Sequence, residues 1–349
     1  MGDALSPCVA EGWRIVRVED AVGMRAAHDV TAVTASSKGP VLRRGDVITE
    51  SHVEALRRAG HDYVAVLEPG GAGADVVWED EAVMGIARAI SGEGVEARYA
   101  GEGKAFIHAS RAGYLSVDGG LLAAINAGTD FRVMSRRGGS WVGAGDLVAI
   151  VELVPLYLSR ADMERARGMV RASVSVRPPL GLRAWLVVTG TEVYEGRVED
   201  LAERPVRSKL ERYGCSLAGK TVVPDDERAI SSAIAGAASG NDLVVVTGGM
   251  SVDPTDVTPR AILATGARLV LYGFPVKPTT MSMLAYLDGK PIIGVSSGII
   301  YFSEENVLDI LLPRICTGGR WSREELASLG DGGIMASFLS KLPGAGGGR

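Results

Sequence analysis

Apolar positions along the chain follow two different rhythms, and the change comes near residue 180. Before it, short alternating runs dominate. Trp13 to Val18 and Met24 to Val33 carry the alternation and β-branched content of strands. Lys38-Gly39-Pro40 and Arg43-Arg44-Gly45-Asp46 read as turns. A helix is predicted from Thr49 or Ser51, where Ser51 and Glu54 have capping-box spacing, to Gly60. Tyr63–Leu67 follows as a strand, and Pro69-Gly70-Gly71-Ala72-Gly73-Ala74 reads as a boundary loop. Glu79 to Ser91 is predicted helical, with acids in its first turn and Gly92 after its last. The stretch from Ala105 to Val154 is strand-rich, with one helix near Gly119 to Ala127 and a turn at Val142 to Asp146. A charged helix from Ser159 to Val174 is broken by Arg177-Pro178-Pro179.

After residue 180, Val- and Leu-rich runs alternate with helical stretches. Strands are predicted at Ala184–Thr189, Leu217–Val223, Asp242–Thr247, Arg268–Gly273, Met281–Leu287 and Pro291–Val295. Helices are predicted at Glu203–Tyr213, Asp226–Ala238 and Thr258–Thr265, with a closing helix over Tyr301–Ile315. This is the pattern of βαβ units around a mainly parallel sheet. The expected fold class is α/β: a three-layer, mainly parallel sheet domain in the C-terminal half, preceded by smaller β-rich α+β domains. The expected divisions are 1–70, 71–175 and 176–320, with a partly disordered, glycine-rich tail over 321–349.

A chain of 349 residues exceeds one ordinary core, which agrees with several domains. The net charge of −5 argues against a nucleic-acid surface built on bulk positive charge. No apolar run approaches the roughly 20 residues that span a bilayer. The start of the sequence also lacks a basic stretch followed by an apolar core, so a cytoplasmic location is expected. Cys8, Cys215 and Cys316 lie far apart without a CxxC pair, which fits unpaired thiols in a reducing compartment and gives no zinc site. His28, His52, His61 and His108 make no metal-ligand pair at helical spacing and read as solvated or packed.

The candidate chemistry collects where the C-terminal strands stop. Val246 runs into Thr247-Gly248-Gly249-Met250-Ser251-Val252-Asp253-Pro254-Thr255-Asp256, and Val188 runs into Thr189-Gly190-Thr191-Glu192. Glycines at a strand end let backbone N–H groups come close to an anion. Pro224-Asp225-Asp226 follows another strand, Lys277 another, and Ser296-Ser297-Gly298 the last. In a doubly wound sheet such loops share one edge, so they can converge on one ligand. The turns and Lys277 suit a phosphate; the acids suit Mg²⁺ or the donors of a heterocyclic base. Each also has a structural reading: Asp225-Asp226 as a helix cap, Thr189-Gly190 as a routine turn, Lys277 as a solvated side chain.

Residues 180–316 resemble the molybdopterin-binding domain shared by MoaB/Mog-type and MoeA-type molybdenum cofactor proteins. Four segments carry the likeness: Thr189 to Val193, Val223 to Asp226, Thr247 to Val252 with Asp256, and Val276-Lys277-Pro278. The N-terminal half, with Asp20 to Gly23 and Gly45 to Thr49, is more loosely similar to MoeA-like chains. The resemblance implies binding of molybdopterin or its adenylate, with Glu192, Asp226 and Asp256 as catalytic acids and Lys277 as an anion contact. It implies Mg²⁺ near Asp225, Asp226 and Asp256, molybdate as substrate, and a homodimer. No nucleic-acid or membrane partner is expected.

The chain departs from MoeA-type proteins in three places. Lys277-Pro278 continues as Thr279-Thr280, without a second lysine and glycine. A Leu-Pro-Gly-Asn-Pro segment is replaced by Gly294-Val295-Ser296-Ser297-Gly298, and the N-terminal Met-Asp-Gly-Tyr-Ala motif is absent. Two readings stay open at this point: a molybdopterin molybdenumtransferase-like enzyme, or a non-catalytic carrier or sensor of the cofactor. A generic nucleotide-binding protein is weakened by the lack of a Walker lysine motif or GxGxxG at any strand–helix junction.

Overall fold

The computed structural model describes residues 13–33, 38–68, 76–251, 253 and 256–342. Its contacts divide the chain into two compact units, with the main division between residues 176 and 177. Segments 112–114 and 139–141 count with the second unit. The boundary loop expected at Pro69–Ala74 lies outside the described residues.

The first unit holds two hydrophobic clusters. In the first cluster, strand Trp13–Arg17 pairs antiparallel with Tyr63–Leu67. Val18, Ala21, Leu42, Ile48, Leu56 and Val66 are buried with them. Only Val30–Val33 of the expected strand Met24–Val33 is in a ladder. Arg25 and Ala26 instead form single bridges to two different segments, at Val47 and Val66, so no ladder propagates. Lys38-Gly39-Pro40 is not a turn but the start of strand Lys38–Leu42, paired with Val30–Val33. A two-stranded ribbon has free edges, so Pro40 can leave its missing N–H outside the pairing.

The helix spans Glu50–Arg58 and is capped by Thr49 rather than Ser51. The N–H of His52 donates to Thr49 Oγ1 and the N–H of Thr49 donates to His52 Nδ1, so an imidazole fills the role expected of Glu54.

In the second cluster, strands Val95–Gly101, Lys104–Ala109, Leu147–Leu153 and Phe131–Ser135 make an antiparallel sheet in that spatial order. Helix Glu79–Ile90 lays Val83, Ile86 and Ile90 against Ile107, Phe131 and Val151. Helices Gly119–Gly128 and Arg160–Met169 start at the side-chain caps Asp118 and Ser159.

The second unit carries the α/β pattern. Its strands are β1 (Arg183–Thr189), β2 (Ser216–Val223), β3 (Leu243–Thr247), β4 (Arg268–Tyr272), β5 (Met283–Leu287) and β6 (Lys290–Val295). The spatial order is β2-β1-β3-β6-β5-β4. The first four of these are mutually parallel, but β5 is antiparallel to β6, and β4 to β5. The sheet is therefore mixed rather than mainly parallel throughout. Asp288 and Gly289, both at positive φ, close a two-residue hairpin between β5 and β6, and such a connection permits only antiparallel pairing.

Alternation along β1 sets the layers. Leu186 and Val188 face a cluster with Val206, Leu210, Leu308 and Leu312, while Val187 faces Ile230, Ile234, Ala261 and Ile262. Helices α1 (Thr191–Tyr194), α2 (Glu203–Arg212), α3 (Glu227–Gly240), α4 (Thr258–Ala264), α5 (Gly298–Tyr301) and α6 (Val307–Ile315) supply these layers and their turns. Each apolar side chain fully buried in this sandwich contributes roughly 1.5–3 kcal/mol.

The single closing helix expected at Tyr301–Ile315 is two helices. Asn306 is an N-cap in extended backbone, reciprocally bonded with Asp309, and this restarts the chain as α6. Of the tail expected past residue 320, α7 (Arg323–Ala327) buries Leu326, and Ala336–Ser340 is helical. The remainder from 343 lies outside the described residues. Cys215 and Cys316 are not separate thiols but a disulfide. They follow the carboxyl ends of α2 and α6 on one face of the sheet, 101 residues apart in sequence.

Candidate functional site

The carboxyl ends of β1 and β3 meet through their glycines. Gly248 has φ +101, and a Cβ there would lie 2.2 Å from the Thr189 carbonyl oxygen. Gly249 has φ +57, and its Cβ would lie 2.7 Å from Thr258 Oγ1. Gly248 is therefore demanded by contact with the neighbouring strand end and Gly249 by contact with the start of α4, beyond any need to admit an anion. Beneath them the Thr189 and Thr258 hydroxyls share a buried hydrogen bond of 3.2 Å.

Two further loops are tied together at this edge. The Thr191 N–H donates to Asp225 Oδ2 at 2.9 Å, and the Asp225 N–H donates to Thr191 Oγ1 at 3.2 Å. Asp225 thus joins the loop after β2 to the turn after β1. The Ser251 N–H donates to Asp256 Oδ2, and the Asp256 N–H donates to the Asp253 carbonyl at 2.9 Å. Tyr272 donates to the Met250 carbonyl at 3.0 Å; burial, then the Asp256 charge, raises its phenol.

These loops surround a cavity of about 400 Å³, within the range of small-molecule pockets. Of the residues singled out from sequence, Thr189, Gly190, Glu192, Asp225, Thr247, Gly248, Gly249, Asp256 and Ser297 line it. Thr191, Ser251, Ser296, Gly298, Asp226 and Lys277 do not. Asp226 is the N-cap of α3, its Oδ1 accepting from the Ala229 N–H at 2.8 Å. The backbone of Lys277 pairs with the C-terminal segment through Gly333 and Met335, and its Nζ lies 6.0 Å from the Phe338 ring.

The sequence reading missed one wall: Val193, Val198, Glu199, Asp200, Leu201 and Ile300. The available signal was a pair of large apolar residues, Val198 and Leu201, flanking two acids outside any helical or strand period. Both stay more than half exposed.

The lining holds five carboxylates and no Lys, Arg or His. Asp200 is neutralised by Lys220 at 2.9 Å; the other four carboxylates face the cavity without a cationic side chain in the lining. Among the described residues no three His, Cys, Asp or Glu side chains converge to hold a metal ion. Asp225 and Asp256 are already occupied by backbone donors and Asp226 by its helix. The described residues alone therefore offer no cage for Mg²⁺, and such an ion would need further oxygens, as from a ligand.

Residues 185–315 match the family described as "Probable molybdopterin binding domain". This stretch belongs to that domain family, as the four segments resemble. Residues 15–68 match a model described as "Domain of unknown function (DUF8806)". Among curated relatives, a "CinA-like protein" of Geobacter metallireducens is 38% identical over 91 residues, covering 26% of this chain and 22% of that protein. A "Protein" of Pyrobaculum arsenaticum is 27% identical over 151 residues, covering 38% of this chain and 57% of its own length. A "Probable FAD synthase" of Caenorhabditis briggsae is 25% identical over 152 residues, 43% of this chain and 28% of that protein. The chain thus spans between about a fifth and just over half of these relatives. Among solved structures, the molybdopterin biosynthesis enzyme MoaB of a Thermus species shares 21% identity. That likeness covers 40% of this chain and 99% of MoaB, with a TM-score of 0.34. The molybdopterin-binding domain contains every residue lining the cavity. Among the described residues no helix is long and apolar enough to cross a membrane.

Proposed function

We propose that the second unit binds molybdopterin, or its adenylate, in the cavity at the carboxyl ends of β1 and β3, and serves molybdenum cofactor biosynthesis. The observation that carries this reading is the cavity lying wholly inside the molybdopterin-binding domain, walled by Thr189-Gly190 and Thr247-Gly248-Gly249. A pterin is flat and rich in N–H donors. Glu192, Asp225 and Asp256 can accept from it, while Val193, Val198 and Ile300 cover its faces. Asp225 accepts on one oxygen from Thr191, which pre-orients the carboxylate for the ligand.

Binding without turnover is the reading favoured over adenylate cleavage with Mg²⁺ and molybdate. Of the residues expected to do that chemistry, Asp226 is engaged as a cap and Lys277 lies off the lining, so cation and acid are not assembled on one ligand. A carrier or sensor needs only the cavity. A homodimer, which would bring a second chain to this edge, is part of the same proposal.

Calorimetric titration with molybdopterin and with its adenylate, each with and without Mg²⁺, tests it. Saturable binding without AMP release is expected. AMP release would establish the transferase-like enzyme instead, and no binding of either form would leave the domain without this ligand.

A further inference from the structure

A second cavity of the α/β unit lies at the other end of its sheet, where β4 and β6 begin and β5 ends. Its volume is about 620 Å³, again within the range of small-ligand pockets. Three arginines line it: Arg268, Arg320 and Arg323. None of them forms an ion pair among the described residues, whereas Arg314, the neighbouring arginine on α6, is paired with Glu325. Asp288 is the single acid in the lining, which leaves a local charge of about +2 on a chain of net charge −5.

Two of these arginines are placed beside Tyr286. Arg268 sits directly across the ladder from Tyr286, on the same face of the sheet. Arg320 stacks over the Tyr286 ring, 5.2 Å from its centroid, and donates to the Gly289 carbonyl at 3.3 Å. Gly289 makes room for it, since a Cβ there would lie 2.9 Å from Arg320 Nη2. Trp321, the other aromatic in the lining, is held by the Arg314 guanidinium at 4.7 Å, itself paired with Glu325 at 2.8 Å. The backbone N–H of Trp321 also donates to the Tyr286 hydroxyl at 3.3 Å, while its indole N–H donates to the Leu311 carbonyl at 3.4 Å.

A planar guanidinium spends one donor on a backbone carbonyl here and keeps the others for a ligand. Arginine forks match phosphate oxygens bidentately, and an indole offers a face on which a flat ring stacks.

From this arrangement we infer that the cavity is a second ligand site, built for a small phosphate-bearing molecule with a planar ring and distinct from the glycine-lined cavity. The arginines take the phosphate, with Arg320 steadied on Tyr286, and Trp321 takes the ring. Binding weakens as salt rises, because the attraction is between partly exposed charges.

The probes are AMP, which has both parts, and inorganic pyrophosphate, which has only the anion. Each is titrated into the whole chain at low salt by calorimetry. In parallel, the fluorescence change is compared with that of Trp321→Phe, which isolates the reporter in the cavity. Saturable AMP binding at one equivalent is expected, tighter than that of pyrophosphate, with a fluorescence change absent in Trp321→Phe. Arg268→Ala and Arg320→Ala each weaken it by at least about tenfold, and Arg320→Lys gives an intermediate loss. Ser297→Phe, which puts a bulky side chain on the lining of the glycine-lined cavity, leaves AMP affinity unchanged. No saturable binding of either probe, indifference to the arginine replacements, or loss of AMP binding in Ser297→Phe would each overturn the assignment.

Discussion

Glu79 opens the helix of the second cluster yet is only 7% exposed. Burial first, then the charges of Asp29 and Asp80, push its carboxyl up to about 7 from an ordinary 4.5, and Arg44 offsets only part of this. Between those two values the folded chain holds a proton that the unfolded chain has released, so stability falls as pH rises across the window. The full effect is on the order of 3 kcal/mol, complete below about pH 4.5 and lost above about pH 7. Glu79→Gln keeps the shape and removes the charge. Urea denaturation at about pH 5 and about pH 8 should show the parent losing most of that amount while the variant loses little. Equal losses in both would mean that Glu79 is not the titrating group.

At the scale of elements, α2 and α6 are locked by one buried pair. Lys209 Nζ donates to both oxygens of Asp309, at 2.8 and 2.7 Å, and to the Glu304 carbonyl at 2.7 Å. Tyr213 donates to the same carboxylate at 2.7 Å, and burial, then the Asp309 charge, holds its phenol protonated. Lys209→Ala should cost up to about 3–5 kcal/mol by chemical denaturation, because Asp309 loses its buried cation and keeps only Tyr213, the Asn306 N–H and the exposed Arg212 guanidinium at 3.9 Å. Lys209→Met with Asp309→Leu should recover only part, since Asp309 also caps α6 through the Asn306 N–H. Full recovery would show that the cap contributes nothing.

In the sequence α2 was legible, and α6 as the later part of one longer helix, but not their meeting, because Lys209 and Asp309 are 100 residues apart. The Asp288-Gly289 hairpin was also present in the sequence, yet Val-rich strands alternating with helices outweighed it and suggested a mainly parallel sheet. The glycine ends of β1 and β3 could be read because apolar runs stop there abruptly. The Val198–Leu201 wall could not, since a loop has no period. Lys277 lies off the lining of the cavity, and the pairing of its backbone with the segment after residue 330 has no local sequence signal.

For the whole molecule, the two units have separate hydrophobic clusters, and the disulfide belongs entirely to the second. Cys215 and Cys316 have Cα atoms 6.3 Å apart, within the usual span of a bridge. Their separation of 101 residues hid the pairing from any spacing argument. The bridge closes most of the α/β sheet into one loop, so its effect on the unfolded chain is large, roughly 4–5 kcal/mol for a loop of about this size. Denatured, unreduced protein should therefore show one reactive thiol, that of Cys8. Calorimetry should resolve two transitions, of which reductant lowers only the one belonging to the second unit, by roughly 10 °C for a domain of this length. Cys215→Ala with Cys316→Ala should reproduce that shift without reductant and become insensitive to it. Three reactive thiols in the unreduced chain, or a shift shared equally by both transitions, would place the stabilisation elsewhere. A bridge that spans α2 and α6 reinforces the same helix pair that Lys209 and Asp309 join. Stability on that face of the sheet is thereby concentrated away from the loops that form the glycine-lined cavity, which leaves those loops free to adjust to a ligand.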